Sequence, residues 1–359
     1  MAELMTRAKG KCMKVWAKIA AGIAGAILVI PALAGCTPSA SPDSHRAVVL
    51  VSGVASVTPF TTPTQACKSG TTSGSTWSYI RDYLVNKGLK VFTAPAMTGN
   101  VPVPATLTAA QGGPFGDCPQ QPGLDVTINS FNSPIVSGHN LAAFITSLHD
   151  NYGVTQVDLV GHSLGGPDTR NAINYLQAAK SPVTITSLTT LGSPWEPAML
   201  AVPPYNPSVA CDGLAICEQV VTGLMEIPDV RPIVDFFQPA AFAAWTAAQT
   251  GVLDKIPVTL VAGTYFTKLN GNPAQWPNDG MIQFDATAAR NISDAVLPQR
   301  ACFTQATTHS AFIAEAIGAP ASQGITWNEE SALVVYNSVT TAGTPRQLAN
   351  RLGCPPPTK

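Results

Sequence analysis

The sequence predicts an α/β protein with a mostly parallel central sheet flanked by helices. Apolar, β-branched runs of strand length recur along the chain, and segments with helical spacing separate them. The first set, strand then helix then strand, is a βαβ unit and so requires parallel strands. With 359 residues, 45% of them hydrophobic and 11% charged, the chain can bury one large core or two modest ones.

"AVVLVSG", Ala47 to Gly53, is apolar throughout, as a strand covered on both faces must be. In "STWSYIRDYLVNKG", Trp77, Ile80, Tyr83 and Leu84 share a helical face, and Gly88 stands where a helix end favours it. "LKVFTAP" reads as the second strand. Met97 to Ser133, rich in Pro, Gly and Thr, predicts an irregular excursion stapled by Cys118. A helix follows from Pro134 to Tyr152, with Leu141, Phe144, Ile145 and Leu148 on one face. Val154 to Val160 is the third strand, Pro167 to Ala179 the helix behind it, and "VTITSLTTLGSP" the fourth strand.

From Trp195 to about Lys255 the periodicity weakens, and the segment is too long for a plain connection, so it reads as an insertion over one end of the sheet. Its Phe236, Phe237, Phe242 and Trp245 have two readings: a lid that opens at a lipid surface, or rings that pack the insertion onto the body. "IPVTLVAGT", Ile256 to Thr264, restores the strand pattern, and "NEESALVVYNSVTT" makes a closing helix. No internal repeat is visible.

Twenty basic against 21 acidic residues leave a net charge of -1, which excludes the basic footprint of a nucleic-acid binder. No nucleotide loop and no metal-ligand spacing is present, so no cofactor is expected.

The chemistry concentrates in "VDLVGHSLGGPDTR", Val157 to Arg170. Gly161-His162-Ser163-Leu164-Gly165 falls between a strand and a helix, which is the context that makes Gly-x-Ser-x-Gly informative. Attack on an ester carbonyl needs a serine oxygen projecting from a sharp turn, and glycines on either side let backbone pass close by. The following helix aims N–H groups at the same point, with Leu164 N–H as one donor to a developing oxyanion. Pro167 lies in the first helical turn, where a missing N–H costs nothing.

"LVGHSLGG" resembles the nucleophile elbow of α/β-hydrolase lipases and esterases, and the order of strands and helices from Ala47 onward agrees over nearly the whole mature chain. The resemblance implies a Ser, acid, His triad in that chain order and a second oxyanion donor after an early strand. Of five histidines, His45, His139, His149 and His162 precede or adjoin Ser163, which leaves His309 in "QATTHSAF" as the base. His162 is expected to pack the elbow. Asp279 is the favoured acid, because "PNDGMI" follows the Ile256–Thr264 strand and is similar to the acid loop of related lipases; Asp254 and Asp285 are substitutes. In "LVSGVAS", Ser52-Gly53-Val54 stands where many lipases carry His-Gly and the donor, so Val54 N–H is the expected donor, with Ala55 as the neighbouring choice.

At the amino terminus, Arg7, Lys9, Lys11, Lys14 and Lys18 precede an apolar stretch, Ile19 to Leu33, shorter than the roughly 20 residues a membrane span needs. This is the pattern of a signal peptide. Leu33-Ala34-Gly35-Cys36 resembles the bacterial lipobox, which implies cleavage before Cys36, a diacylglyceryl group on its thiol and anchorage on a membrane surface. The expected organisation is a signal peptide at 1–35, a linker at 36–45 and a catalytic domain at 46–359. Without lipidation the product would be secreted. Setting aside Cys12 and Cys36, six cysteines remain, an even number that reads as disulfides in an exported chain. Chain order suggests Cys67 with Cys118, Cys211 with Cys217, and Cys302 with Cys354.

The expected activity is therefore that of an exported serine lipase or esterase acting on lipid or other apolar esters. Two alternatives stand beside it: an acyltransferase using the same triad, and a catalytically silent lipoprotein that binds lipid.

Overall fold

A computed structural model describes residues 45–64, 76–98, 123–198, 206–341, 353–354 and 356, all within the unit Pro42–Lys359. The expectations for the signal peptide, Cys36 and the linker up to residue 44, and those for Cys67 and Cys118, lie outside the described residues. Among the described residues, no helix is long and apolar enough to cross a membrane.

The strands are β1 (Arg46–Val51), β2 (Val91–Thr93), β3 (Ala96–Met97), β4 (Ile128–Asn129), β5 (Gln156–His162), β6 (Thr184–Leu191), β7 (Val258–Gly263) and β8 (Arg300–Gln305). Six of them form one sheet in the order β2-β1-β5-β6-β7-β8, with every pair parallel, and β3 pairs with β4 beside it. The expected α/β architecture is thus present. Because alternate residues of a strand face opposite sides, the apolar runs feed two cores. Val49, Val51, Leu159, Leu188 and Leu260 pack with Leu141, Phe144, Ile145 and Leu148 of α2 (Pro134–Tyr152) and with Ile173 and Leu176 of α3 (Gly165–Ala178). Val48, Leu50, Val160, Leu191 and Val261 face the other way, onto Ile80 and Leu84 of α1 (Ser78–Asn86) and onto Val334, Val335 and Val339 near the C-terminus. Both faces are covered, which is why the runs carry little alternation.

One charge sits within this sheet. Asp158, buried on β5, accepts from Arg46 Nε and Nη2 at 2.7 and 2.9 Å and from the hydroxyls of Thr186 and Ser187. A buried carboxylate so fully partnered is compatible with a strand core.

The structure moves several boundaries. The third strand runs Gln156–His162 rather than Val154–Val160, and α3 starts at Gly165, two residues before Pro167. The sixth strand, β8, has no counterpart in the sequence reading. It lies at the sheet edge, where Phe303 is 41% exposed, so it lacks the continuous apolar run that marks the interior strands.

The insertion contains four helices among its described residues: α4 (Pro207–Cys211), α5 (Ala215–Met225), α6 (Arg231–Phe236) and α7 (Pro239–Ala247). A disulfide between Cys211 and Cys217 joins α4 to α5, and Cys302–Cys354 ties β8 to the C-terminal segment, the pairing that chain order suggests for these four cysteines. Two short helices, α8 (Phe284–Thr287) and α9 (Ala311–Ala316), follow β7 and β8, and α10 (Glu329–Thr341) closes the fold.

Candidate active site

Ser163 occupies the turn between β5 and α3 with φ of 54°, a left-handed conformation that costs a non-glycine residue roughly 1–2 kcal/mol. The turn can be this sharp because its flanks lack side chains. A Cβ on Gly161 would lie 2.6 Å from Gly165 O, and one on Gly165 would lie 2.4 Å from Val51 O. Pro167, third in α3, stands where a helix has no acceptor for its N–H.

Gly53 brings the end of β1 against the serine: a Cβ there would sit 2.5 Å from Ser163 Cβ and 3.0 Å from Ser163 Oγ. The next residue is Val54. Neither Val54 N–H nor Leu164 N–H donates to another described residue, so two main-chain donors beside Ser163 are uncommitted. Val54, Leu164 and Ser163 line one cavity.

His309 lies in the loop between β8 and α9. Its Nδ1–H donates to Asp279 Oδ2 at 2.8 Å, and its backbone N–H donates to Asp279 O at 2.7 Å. Asp279 is completely buried, and its other oxygen accepts from Met281 N–H at 2.9 Å and Ile282 N–H at 2.7 Å. Both oxygens of this carboxylate are thus engaged by donors, which fixes its orientation toward His309. Asp254 is exposed and Asp285 pairs with Arg290, so neither substitute meets His309.

Ser163 and the Asp279–His309 pair share one end of the sheet. Ser163 N–H donates to Leu191 O at 3.1 Å, and a Cβ on the next residue, Gly192, would lie 3.0 Å from Asp279 Oδ2 and 3.2 Å from His309 Nδ1. No hydrogen bond joins Ser163 Oγ to His309 among the described residues; in ligand-free sites such contacts are often loose until substrate arrives.

The other histidines have separate partners. His45 bonds Gly153 O, His149 bonds Asp150, and His139 packs on Tyr175. His162 is buried and bonds the carbonyl of His309, a link between residues 147 apart that no local sequence signal announces.

Among the described residues that line the cavity, Ser163 has the one polar side chain. The insertion contributes Ala198, Leu224, Met225, Val230, Ile233, Val234 and Phe237, seven of those twelve. Behind it, Phe236, Phe237, Phe242 and Trp245 interlock edge to face or stacked at 4.9 to 5.5 Å, with the three phenylalanines buried. These rings pack the insertion and, through Phe237, wall the cavity.

Beneath the elbow, Arg170 of α3 is wholly buried between the faces of Trp195 and Trp245, 4.4 and 4.1 Å from the ring centres, with no hydrogen-bond partner among the described residues. Burial pushes its pKa down to about 9, which leaves it charged at neutral pH. Asp168, on the same helix, is also buried, and burial raises its pKa well above the ordinary carboxylate range. Sequence reasoning missed both groups, since the indoles that cover Arg170 come from positions 25 and 75 residues further on. No group of three metal-ligating side chains is found among the described residues.

No family model and no curated protein matches the chain by sequence. Among solved structures, it is similar to Bacillus licheniformis lipase BlEst2 in mature form, at 15% identity and TM-score 0.44, over 70% of this chain and 82% of that one. Against the propeptide form of that lipase it spans about half the length, 47%, at 16% identity and TM-score 0.44, over 75% of this chain. A putative aryl esterase from Burkholderia cenocepacia is similar at 16% identity and TM-score 0.43, over 84% of this chain and 93% of that one. It is the site's own geometry that bears on function.

Proposed function

We propose that the chain is a serine hydrolase of carboxylic esters with apolar acyl groups. The observation that carries this reading is the buried Asp279–His309 pair, joined at 2.8 Å beside a serine held in a left-handed turn at an apolar cavity. In the first half-reaction Ser163 Oγ attacks the ester carbonyl while its proton passes to His309 Nε2. Asp279 holds the imidazole in the tautomer with Nδ1 protonated and stabilises the imidazolium. Negative charge develops on the carbonyl oxygen, which Val54 N–H and Leu164 N–H receive. His309 then returns the proton to the departing alkoxide, leaving an acyl-serine, and water repeats the sequence to release the acid. The lining of the cavity, apolar but for Ser163 among the described residues, supports an acyl chain as the group bound there.

The same proposal places the protein outside the cytoplasm, tethered through a diacylglyceryl group on Cys36. The two disulfides fit an oxidising compartment. Loss of fatty-acid labelling in Cys36→Ala checks the tether.

Ser163→Ala should abolish most ester turnover and all labelling by a fluorophosphonate while leaving the melting curve intact. Unchanged turnover would refute the assignment. A wild-type protein that neither labels nor turns over esters would favour the silent lipid-binding alternative. Product analysis with an acceptor alcohol separates hydrolase from acyltransferase.

A further inference from the structure

His162 precedes Ser163, yet its side chain is spent on the far side of the site. Its Nε2–H donates to the carbonyl oxygen of His309 at 2.7 Å, and the two imidazole rings lie 4.7 Å apart, tilted by 43°. The indole of Trp77 meets the His162 ring edge to face at 6.2 Å, and both residues are buried. The backbone of His309 is consequently gripped at two points: its N–H by Asp279 O at 2.7 Å, and its C=O by His162.

We propose that His162 is a positioning residue, whose single N–H ties the backbone of the base His309 to the strand that presents Ser163. This rests on the reading of Ser163 and His309 as nucleophile and base.

Three pieces of chain must hold register for proton transfer: the end of β5, the Asp279 turn and the loop carrying His309. Asp279 couples the second to the third, and His162 couples the third to the first. The two contacts hold different peptide groups, one on each side of the His309 Cα, so one cannot substitute for the other. A donor is required at this position because the group to be held is a carbonyl oxygen, and a flat ring places that donor without a flexible stem. The ring must also stay uncharged, since a second positive charge beside His309 would oppose imidazolium formation. Burial, reinforced by the His309 ring, pushes the His162 pKa down to about 3, which secures this at neutral pH.

The test compares the full-length protein with His162→Phe, which keeps a flat ring without the donor, and with His162→Gln, whose amide N–H stands near the position of Nε2. Steady-state hydrolysis of a soluble short-chain ester and the rate of fluorophosphonate labelling of Ser163 are both measured. The expected result is a fall in kcat of roughly 10- to 100-fold for His162→Phe with KM nearly unchanged, as misplacement of a catalytic group by about 1 Å produces. Labelling should slow in parallel but still reach completion, and His162→Gln should recover most of the loss. If His162→Phe does not fold, His162→Leu takes its place as the variant without a donor. Wild-type kcat in the donor-less variant, or a glutamine variant no better than it, overturns the tether while leaving the Ser163 reading in place. A wild-type protein inert to both ester and probe overturns the two together.

Discussion

Replacing Gly53 by alanine tests the proposed oxyanion site without removing a reacting group. The added Cβ would lie 2.5 Å from Ser163 Cβ, 3.0 Å from Ser163 Oγ and 3.0 Å from His162 O. Carbon atoms in contact settle at about 3.5–4.0 Å, so the shortfall is about 1 Å. Neither neighbour is a flexible side-chain end, because Ser163 is set by the left-handed turn. The strain must therefore move Gly53 and Val54 away from the elbow, or push Ser163 off its position. Withdrawal of Val54 N–H removes one of two donors, a loss typically of about 10²- to 10³-fold in kcat, or roughly 3–4 kcal/mol of transition-state stabilisation. Overpacking should cost about 1–3 kcal/mol of folding stability as well. Steady-state hydrolysis of a soluble p-nitrophenyl ester, with thermal melting by circular dichroism, separates the two effects. KM should change little, because the apolar cavity that binds the acyl group is otherwise intact. An alanine variant that stays folded and keeps kcat within a few-fold of the parent would show that Val54 is not a donor, and the Gly53 contact would need another explanation.

Asp279→Asn should leave the side-chain oxygen bonded to Met281 and Ile282 N–H and turn an NH₂ toward His309 Nδ1, forcing the wrong tautomer. A loss of about 10⁴-fold in kcat is expected, as for other triads so altered, and a loss under tenfold would count against Asp279 as the acid. Val234→Phe, on the cavity wall, should move preference toward shorter acyl chains in a chain-length series; an unchanged profile would place the acyl group elsewhere. Asp168 predicts a pH effect whose sign follows from its raised folded pKa. Above the ordinary aspartate pKa of 3.8 the unfolded chain releases this proton and the native protein keeps it. Native stability therefore declines as pH climbs from there toward the raised value, at about 1.4 kcal/mol per pH unit. Asp168→Asn should then melt increasingly above the parent as pH climbs from about 4 toward that raised value; a constant offset over that climb would contradict it.

Much of the fold was legible because buried parallel strands and amphipathic helices write their periodicity into local sequence. Ala47 to Gly53 announces β1, and Pro134 to Tyr152 coincides with α2 residue for residue. The elbow was readable for the same reason, since Ser163 needs glycines at 161 and 165 as immediate neighbours. Where structure depends on distant partners, local pattern fades. β8 went unseen because an edge strand covered on fewer sides need not be continuously apolar, and α3 began earlier than read because two glycines, poor helix formers, open it for close packing against β1 and β6.

What the sequence determined by itself was the kind of fold and the residues from which a nucleophile, base and acid had to be drawn, because these follow from periodicity, turn chemistry and chain order. Only the tertiary structure joined His309 to Asp279 rather than to Asp254 or Asp285, stacked Arg170 between two indoles and set His162 on the carbonyl of His309. Hydrogen bonds and ring contacts act over a few ångströms in space, and residues 25 to 147 positions apart meet at that range only after the sheet has formed.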